Sequence, residues 1–214
     1  MPCNHQGVRP LEAKLLSGTE LYREVVLDRL AHARESVWIS TANVKAMYVE
    51  QAGNFVPVVE LLASLARRGV ALRLLHAERP SKPFRQAFNR LSDSLEGRLE
   101  MRICPRVHFK AVLVDGAWLY LGSANLTGAG LGAKDADRRN FELGWATEDF
   151  DTIDRVSAFF EAIWSGAECG SCKLYDLCPA PLGPRASRGR ERKNERGNDG
   201  GIELGRSRRL RRVR

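Results

Sequence analysis

His108, Lys110, Asp115, Ser123 and Asn125 fall within one stretch of eighteen residues, HFKAVLVDGAWLYLGSAN. A histidine, a cation, a carboxylate and small polar donors together make a set suited to attack on a phosphodiester. On a strand, the period of two places His108 and Lys110 on one face. An imidazole attacks phosphorus through one ring nitrogen when a hydrogen bond at the other fixes its tautomer. A neighbouring ammonium neutralises the non-bridging oxygens, whose charge matters most in the transferring state. Ser123 and Asn125 offer donors for the same oxygens without adding charge. Asp115, at a turn, can orient either Lys110 or the histidine, and the residues alone do not choose between them.

The elements that must hold this set follow from periodicity. Apolar residues Leu21, Val25, Val26, Leu30 and Ala33 predict a helix over 20–34. A strand over 36–42 follows, then a second amphipathic helix over 55–68 closed by Gly69. Strands are expected over 70–76 and 99–104, with a helix over 82–91 between them. The strand over 108–114 turns at Asp115-Gly116 into another over 118–121, ending in Gly122-Ser123. A strand over 140–147 and a helix over 151–164 complete the body, the helix presenting Ile153, Val156, Phe159, Phe160 and Ile163. Early strands are separated by helices and later ones are adjacent. The expected fold is therefore an α/β sandwich with a mixed β-sheet and flanking helices.

The segment 108–125 resembles the HxKxxxxDxxxxxxGSxN motif of the phospholipase D superfamily, and His108, Lys110, Asp115, Gly122, Ser123 and Asn125 match every fixed position. Asn140-Phe141-Glu142 is similar to the N-x-E element that follows that motif, and residues 36–43 to the family's early strand. The resemblance spans roughly residues 15–165. It implies that His108 is the nucleophile of a phosphohistidine intermediate. Lys110 and Asn125 would hold phosphate oxygens, Ser123 would support the pocket, Asp115 would act as a supporting carboxylate, and Glu142 would orient the imidazole. The same resemblance implies chemistry that needs no metal.

The motif occurs once. His5, His32 and His76 have no lysine two residues on and no following Gly-Ser-x-Asn. A poor alkoxide leaving group still requires a general acid. The expected solution is a two-fold homodimer in which both copies of His108 face one phosphate, an arrangement that single-motif nucleases of the superfamily resemble.

Cys169, Cys172 and Cys178 have the spacing C-x2-C-x5-C, which suits metal ligation better than a disulfide framework. Cys3 is the expected fourth ligand, with His5 as the alternative. Cys104, before Pro105, is read as packed. In its cysteine spacing the triplet resembles the iron–sulfur element CxxCxYxxxC of RecB- and Cas4-like nucleases, with Tyr175 one position later than that element's tyrosine. That resemblance implies a structural [4Fe–4S] cluster, with zinc as the alternative.

The net charge of +8 is concentrated at one end. Residues 183–214 hold twelve of the 34 Lys and Arg but only four of the 26 Asp and Glu, so the remainder is balanced. This Arg-rich stretch lacks apolar periodicity and reads as a disordered arm able to release counterions from a nucleic-acid backbone. Four regions are expected: an N-terminal segment 1–14 carrying Cys3, a catalytic domain 15–165, a cysteine staple 166–182 and the tail 183–214. No apolar run reaches the roughly 18–20 residues of a membrane span, and no apolar signal core follows the N-terminus, so a cytoplasmic chain is expected. DNA or RNA is the expected substrate. A phospholipase D-type lipid hydrolase or phosphatidyl transferase is one alternative, and a catalytically silent nucleic-acid-binding protein or accessory partner in a defence system is another.

Overall fold

The computed structural model describes residues 9–51 and 53–186. Cys3, His5 and most of the basic tail lie outside the described residues.

Seven strands form one mixed sheet. In chain order they are β1 (Lys14–Ser17), β2 (Ser36–Thr41), β5 (Ala71–His76), β6 (Leu99–Ile103), β7 (Lys110–Val114), β8 (Trp118–Gly122) and β9 (Leu143–Thr147). A separate hairpin is made by β3 (Tyr48–Gln51) and β4 (Asn54–Pro57). The large sheet has the spatial order β1-β9-β8-β7-β2-β5-β6. The pairs β2–β5 and β5–β6 are parallel, whereas β2–β7, β7–β8, β8–β9 and β1–β9 are antiparallel. Helical crossovers join the parallel strands, whereas of the antiparallel pairs only β7–β8 is closed by a tight turn and β8 reaches β9 through the loop 123–142.

Helices cover both faces. A helical run α1 comprises Thr19–Leu21, Tyr22–Arg29 and Leu30–His32, with its middle turns wound as a π-helix. It buries Leu21, Val25, Val26 and Leu30 together with Ala33, the face expected from its period. With α2 (Val58–Arg67), α3 (Lys82–Arg90) and α4 (Ser92–Leu95) it covers the sheet face carrying Val37, Ile39, Val112 and Val114. The opposite face belongs to α5 (Phe150–Trp164), which starts where Asp149 accepts a hydrogen bond from the Thr152 N–H at 2.9 Å. There Trp38 stacks on Phe160 with ring centroids 5.2 Å apart, and Phe160 stacks on Trp164 at 5.6 Å. Each fully buried large apolar side chain of this kind contributes about 1.5–3 kcal/mol.

Three boundaries differ from expectation. The helix predicted over 55–68 begins only at Val58, because Pro57 imposes an extended residue before it and stands as its N-cap. Phe55 lies instead in β4, opposite Glu50. The strand predicted from 108 begins at Lys110, and the one predicted from 140 begins at Leu143. On α5, Phe159 is exposed although it sits on the predicted apolar face; it meets Phe109 edge-on at 5.2 Å.

Candidate active site

The register of the antiparallel strands brings distant segments to one end of the sheet. Lys110 pairs with Gly122, Gly122 with Gly144, and Gly144 with Leu16. On the other side Ala111 pairs with Ser40, so the end of β2 at Thr41 abuts the start of β7. Sequence positions from 41 to 144 thus meet in a single row.

Two glycines in this row are required by the buried Tyr120. A Cβ on Gly122 would collide with the Tyr120 hydroxyl and lie 2.7 Å from the Gly144 Cα. A Cβ on Gly144 would collide with the Tyr120 ring. Burial pushes the Tyr120 phenol up to about 12, and the Glu142 carboxylate adds to the shift. Neither Tyr120 nor Gly144 was singled out by sequence reasoning. The pairing of Gly122 with a second glycine becomes visible only once the register is known.

His108 is exposed and lies just ahead of β7, whereas Lys110 is only 7% exposed. The Lys110 ammonium donates to the His108 carbonyl oxygen at 2.6 Å and stands 3.4 Å from both ring nitrogens. A buried cation is thereby held against an accessible imidazole, although His108 lies outside the strand expected to give the two a common face. Asn125 is committed differently from its expected role as a bare donor. Its Oδ1 accepts from Thr41 Oγ1 at 3.1 Å and from the N–H groups of Ala42 and Asn43 at 3.0 and 3.2 Å. The oxygen ties the site loop to the end of β2, leaving the amide N–H groups as its donor end. Thr41, which also accepts from the Leu126 N–H at 3.0 Å, is a positioning residue that sequence reasoning missed. The only available signal was the run of small residues ending β2.

Ser123 Oγ donates to Glu142, and Asn140 Nδ2 donates to the other oxygen of the same carboxylate at 3.0 Å. The Asn-x-Glu element therefore converges on the site. Among the described residues, however, no hydrogen bond joins Glu142 to His108, so the expected orienting contact is replaced by one that fixes Ser123.

Asp115 is not in the cluster. It follows β7 at the opposite end of that strand, about 16 Å from Lys110 at roughly 3.3 Å per strand residue. Its carboxylate accepts from the N–H groups of Arg34, Glu35 and Ser36 at 2.8–3.2 Å. Burial alone would raise this carboxyl, but those N–H groups and the charge of Arg34 outweigh it and hold it below its ordinary value. Asp115 and Gly116 take φ of 54° and 61° in the turn closed by Ala117 N–H donating to the Val114 carbonyl. That is the I′ geometry that Asp-Gly favours. Asp115 positions the β7–β8 hairpin instead of orienting Lys110 or His108.

The remaining described histidines do not complete the site. His32 lies at the end of α1 with Nδ1 2.9 Å from the Leu27 carbonyl. His76 is buried, its Nδ1 2.8 Å from the Glu78 carbonyl, and burial holds it below its ordinary pKa.

Cys169, Cys172 and Cys178 follow α5 and are free thiols, as is Cys104. Among the described residues no three His, Cys, Asp or Glu side chains close into a metal-coordinating group. The expected fourth ligand, Cys3, and its alternative, His5, lie outside the described residues. Cys104 is not simply packed. It lines, with Cys169, Cys172 and Cys178, one cavity of about 750 Å³ to which Phe109 and Phe159 also contribute.

A mixed sheet sandwiched by helices, with a histidine–lysine pair and an Asn–Ser–Glu group at one strand end, defines a phospholipase D-type scaffold. The chain belongs to that family: residues 26–164 match the family described as cardiolipin synthase, PLD-like domain. The match ends before Cys169 and does not extend to the cysteine segment. Among solved structures, Nuc from Salmonella typhimurium, a phospholipase D family member, is similar at 18% identity and a TM-score of 0.53, over 72% of this chain and 95% of that one. NucT from Helicobacter pylori is similar at 17% identity and 0.49, over 72% and 95%. The archaeal chromatin protein TrmBL2 is similar at 16% and 0.48, over 72% and 52%. No curated protein matches the chain. None of the described helices is long and apolar enough to cross a membrane.

Proposed function

We propose that this chain is a metal-independent phosphodiesterase acting on DNA or RNA, with one active site shared by two copies. The observation that carries this reading is the Lys110 ammonium, buried and held 3.4 Å from both ring nitrogens of the exposed His108. A ring nitrogen of His108 attacks phosphorus and the P–O bond to the leaving group breaks. Lys110 and the Asn125 amide bind the non-bridging oxygens as their charge grows. His108 of the partner subunit protonates the leaving oxygen, then takes a proton from the water that cleaves the P–N bond. The second copy is invoked because neither His32 nor His76 offers a free ring beside Lys110. A backbone-directed site of this kind has little sequence preference.

The family description favours one competing reading, phosphatidyl transfer or lipid hydrolysis. Labelled DNA, RNA and phosphatidylcholine vesicles, each incubated with the chain in EDTA, separate the two. Cleavage of nucleic acid that survives EDTA, with acid-labile phosphate trapped on His108, is expected. Turnover of vesicles alone would establish the lipid reading, and loss of all cleavage in EDTA would overturn the phosphohistidine mechanism. Absence of turnover on every substrate, with binding retained, would identify a silent binding or defence-system component.

A further inference from the structure

We propose that Cys104, Cys169, Cys172 and Cys178 form a four-thiolate metal centre that braces the segment delivering His108. Residues 166–178 advance in turns of three. The N–H of Cys169 donates to Gly166, that of Cys172 to Cys169, that of Tyr175 to Cys172, and that of Cys178 to Tyr175. Cys169, Cys172 and Cys178 stand at junctions of these turns, and all three line the same cavity.

The fourth thiol comes from another part of the fold. Cys104 follows β6, where its N–H donates to the His76 carbonyl at 2.8 Å, and it lines the same cavity. Four half-buried thiols from two chain segments, none in a disulfide, line one cavity. This is the donor set of a closed structural site for a soft metal, with four sulfurs and the C-x2-C spacing on one arm. The charge also fits. Four thiolates around a divalent ion or a [4Fe–4S]²⁺ core carry a net charge of about −2. Arg79, Arg102 and Arg106 line the cavity against the single carboxylate of Glu168. The thiols are not closed upon one another in the structure, so metal binding draws the 169–178 turns towards Cys104.

The placement gives the centre a consequence for the active site. Cys104 is four residues before His108, and Val107 and Phe109, on either side of that histidine, both line the cavity. The centre tethers this loop to the end of α5. It does not depend on the nucleic-acid reading, because its first readouts are metal content and thiol protection.

The test uses the full chain purified without oxygen. About one metal centre per chain is expected, colourless with zinc or brown with iron and sulfide, and the two outcomes identify the occupant. Cys104→Ser and Cys172→Ser should lose it, whereas Cys3→Ser should keep it. Should the serine variants fail to fold, alkylation of the wild-type chain gives the same answer. Cys104, Cys169, Cys172 and Cys178 should be protected until a chelator is added, with Cys3 labelled throughout. Protection of Cys3 in place of Cys104 would overturn the ligand set. Failure of the reduced chain to retain or take up zinc, cobalt or iron would overturn the centre itself.

Discussion

At the scale of single residues, the site separates groups that act from groups that hold. In the proposed mechanism Asn125 does both with different atoms: its oxygen receives three donors from residues 41–43, and its amide nitrogen is the group proposed to meet a phosphate. Asn125→Asp keeps the acceptor and replaces the donor with negative charge. The variant should fold, and its turnover should fall about 10²–10³-fold, measured by single-turnover cleavage beside thermal unfolding. His108→Ala should abolish turnover with substrate binding largely retained. The His108–Lys110 pair was legible in the sequence as a spacing, but His108 lies just ahead of β7, so their contact rests on the Lys110 ammonium turning back to it and not on a strand period. Asp115 was misplaced because five residues in a helix fold back on themselves, whereas five in a strand reach its far end. The engagement of Glu142 by Ser123 and Asn140 was equally hidden, since it depends on a loop conformation that no periodicity encodes.

At the scale of elements, the β7–β8 hairpin is held at both ends. At its turn, Asp115 caps three N–H groups beside β2. Asp115→Ala should cost about 1 kcal/mol, the lower range for a partly exposed set of hydrogen bonds, with kcat at saturation nearly unchanged. The folded-state pKa of this carboxyl is depressed, so its contribution is fully present above its ordinary value of about 4. It is lost as pH falls through the lower, folded-state value. The stability gap between wild type and Asp115→Ala, measured by urea unfolding, should therefore be constant near neutral pH and close in acid. At the other end, Gly122→Ala should cost about 1–3 kcal/mol through overpacking against Tyr120 and Gly144. It should also reduce turnover by shifting Ser123, which a comparison of unfolding midpoint and kcat will detect. The helices and most strands were readable from apolar spacing. The β3–β4 hairpin was not, because Pro57 truncates a pattern that continues into α2.

At the scale of the whole molecule, the roles proposed for the basic tail and the body can be separated by truncation. Residues 183–186 fold back on the cysteine segment. Tyr175 Oη donates to the Gly183 carbonyl at 2.6 Å, Arg185 pairs with Asp176, and the Ala186 N–H donates to the Gly170 carbonyl at 2.9 Å. These contacts tie the first residues of the expected tail to the cysteine segment. Truncation after Ala186 should weaken nucleic-acid binding and flatten its salt dependence, since fewer phosphates are contacted, with the turnover of bound substrate unchanged. Equal salt slopes with and without the tail would confine binding to the body. The proposed sharing of one site by two copies makes a further prediction: mixing wild type with excess His108→Ala should depress wild-type activity through inactive mixed dimers. Strict proportionality to wild-type subunits would show independent sites.

The row formed by Lys110, Gly122, Gly144 and Leu16 also bears on when the protein becomes competent during its synthesis. β1 is made first, but its partner β9 is built from residues 143–147, so the N-terminal edge strand must wait unpaired for most of translation. Chains folding as they emerge, at about 5–20 residues per second, cannot complete such a long-range pairing early. Glu142 and Gly144 arrive with that last strand. A nascent chain carrying His108 and Lys110 is therefore without the final wall of its site, and cannot assemble the complete row until β9 has left the ribosome.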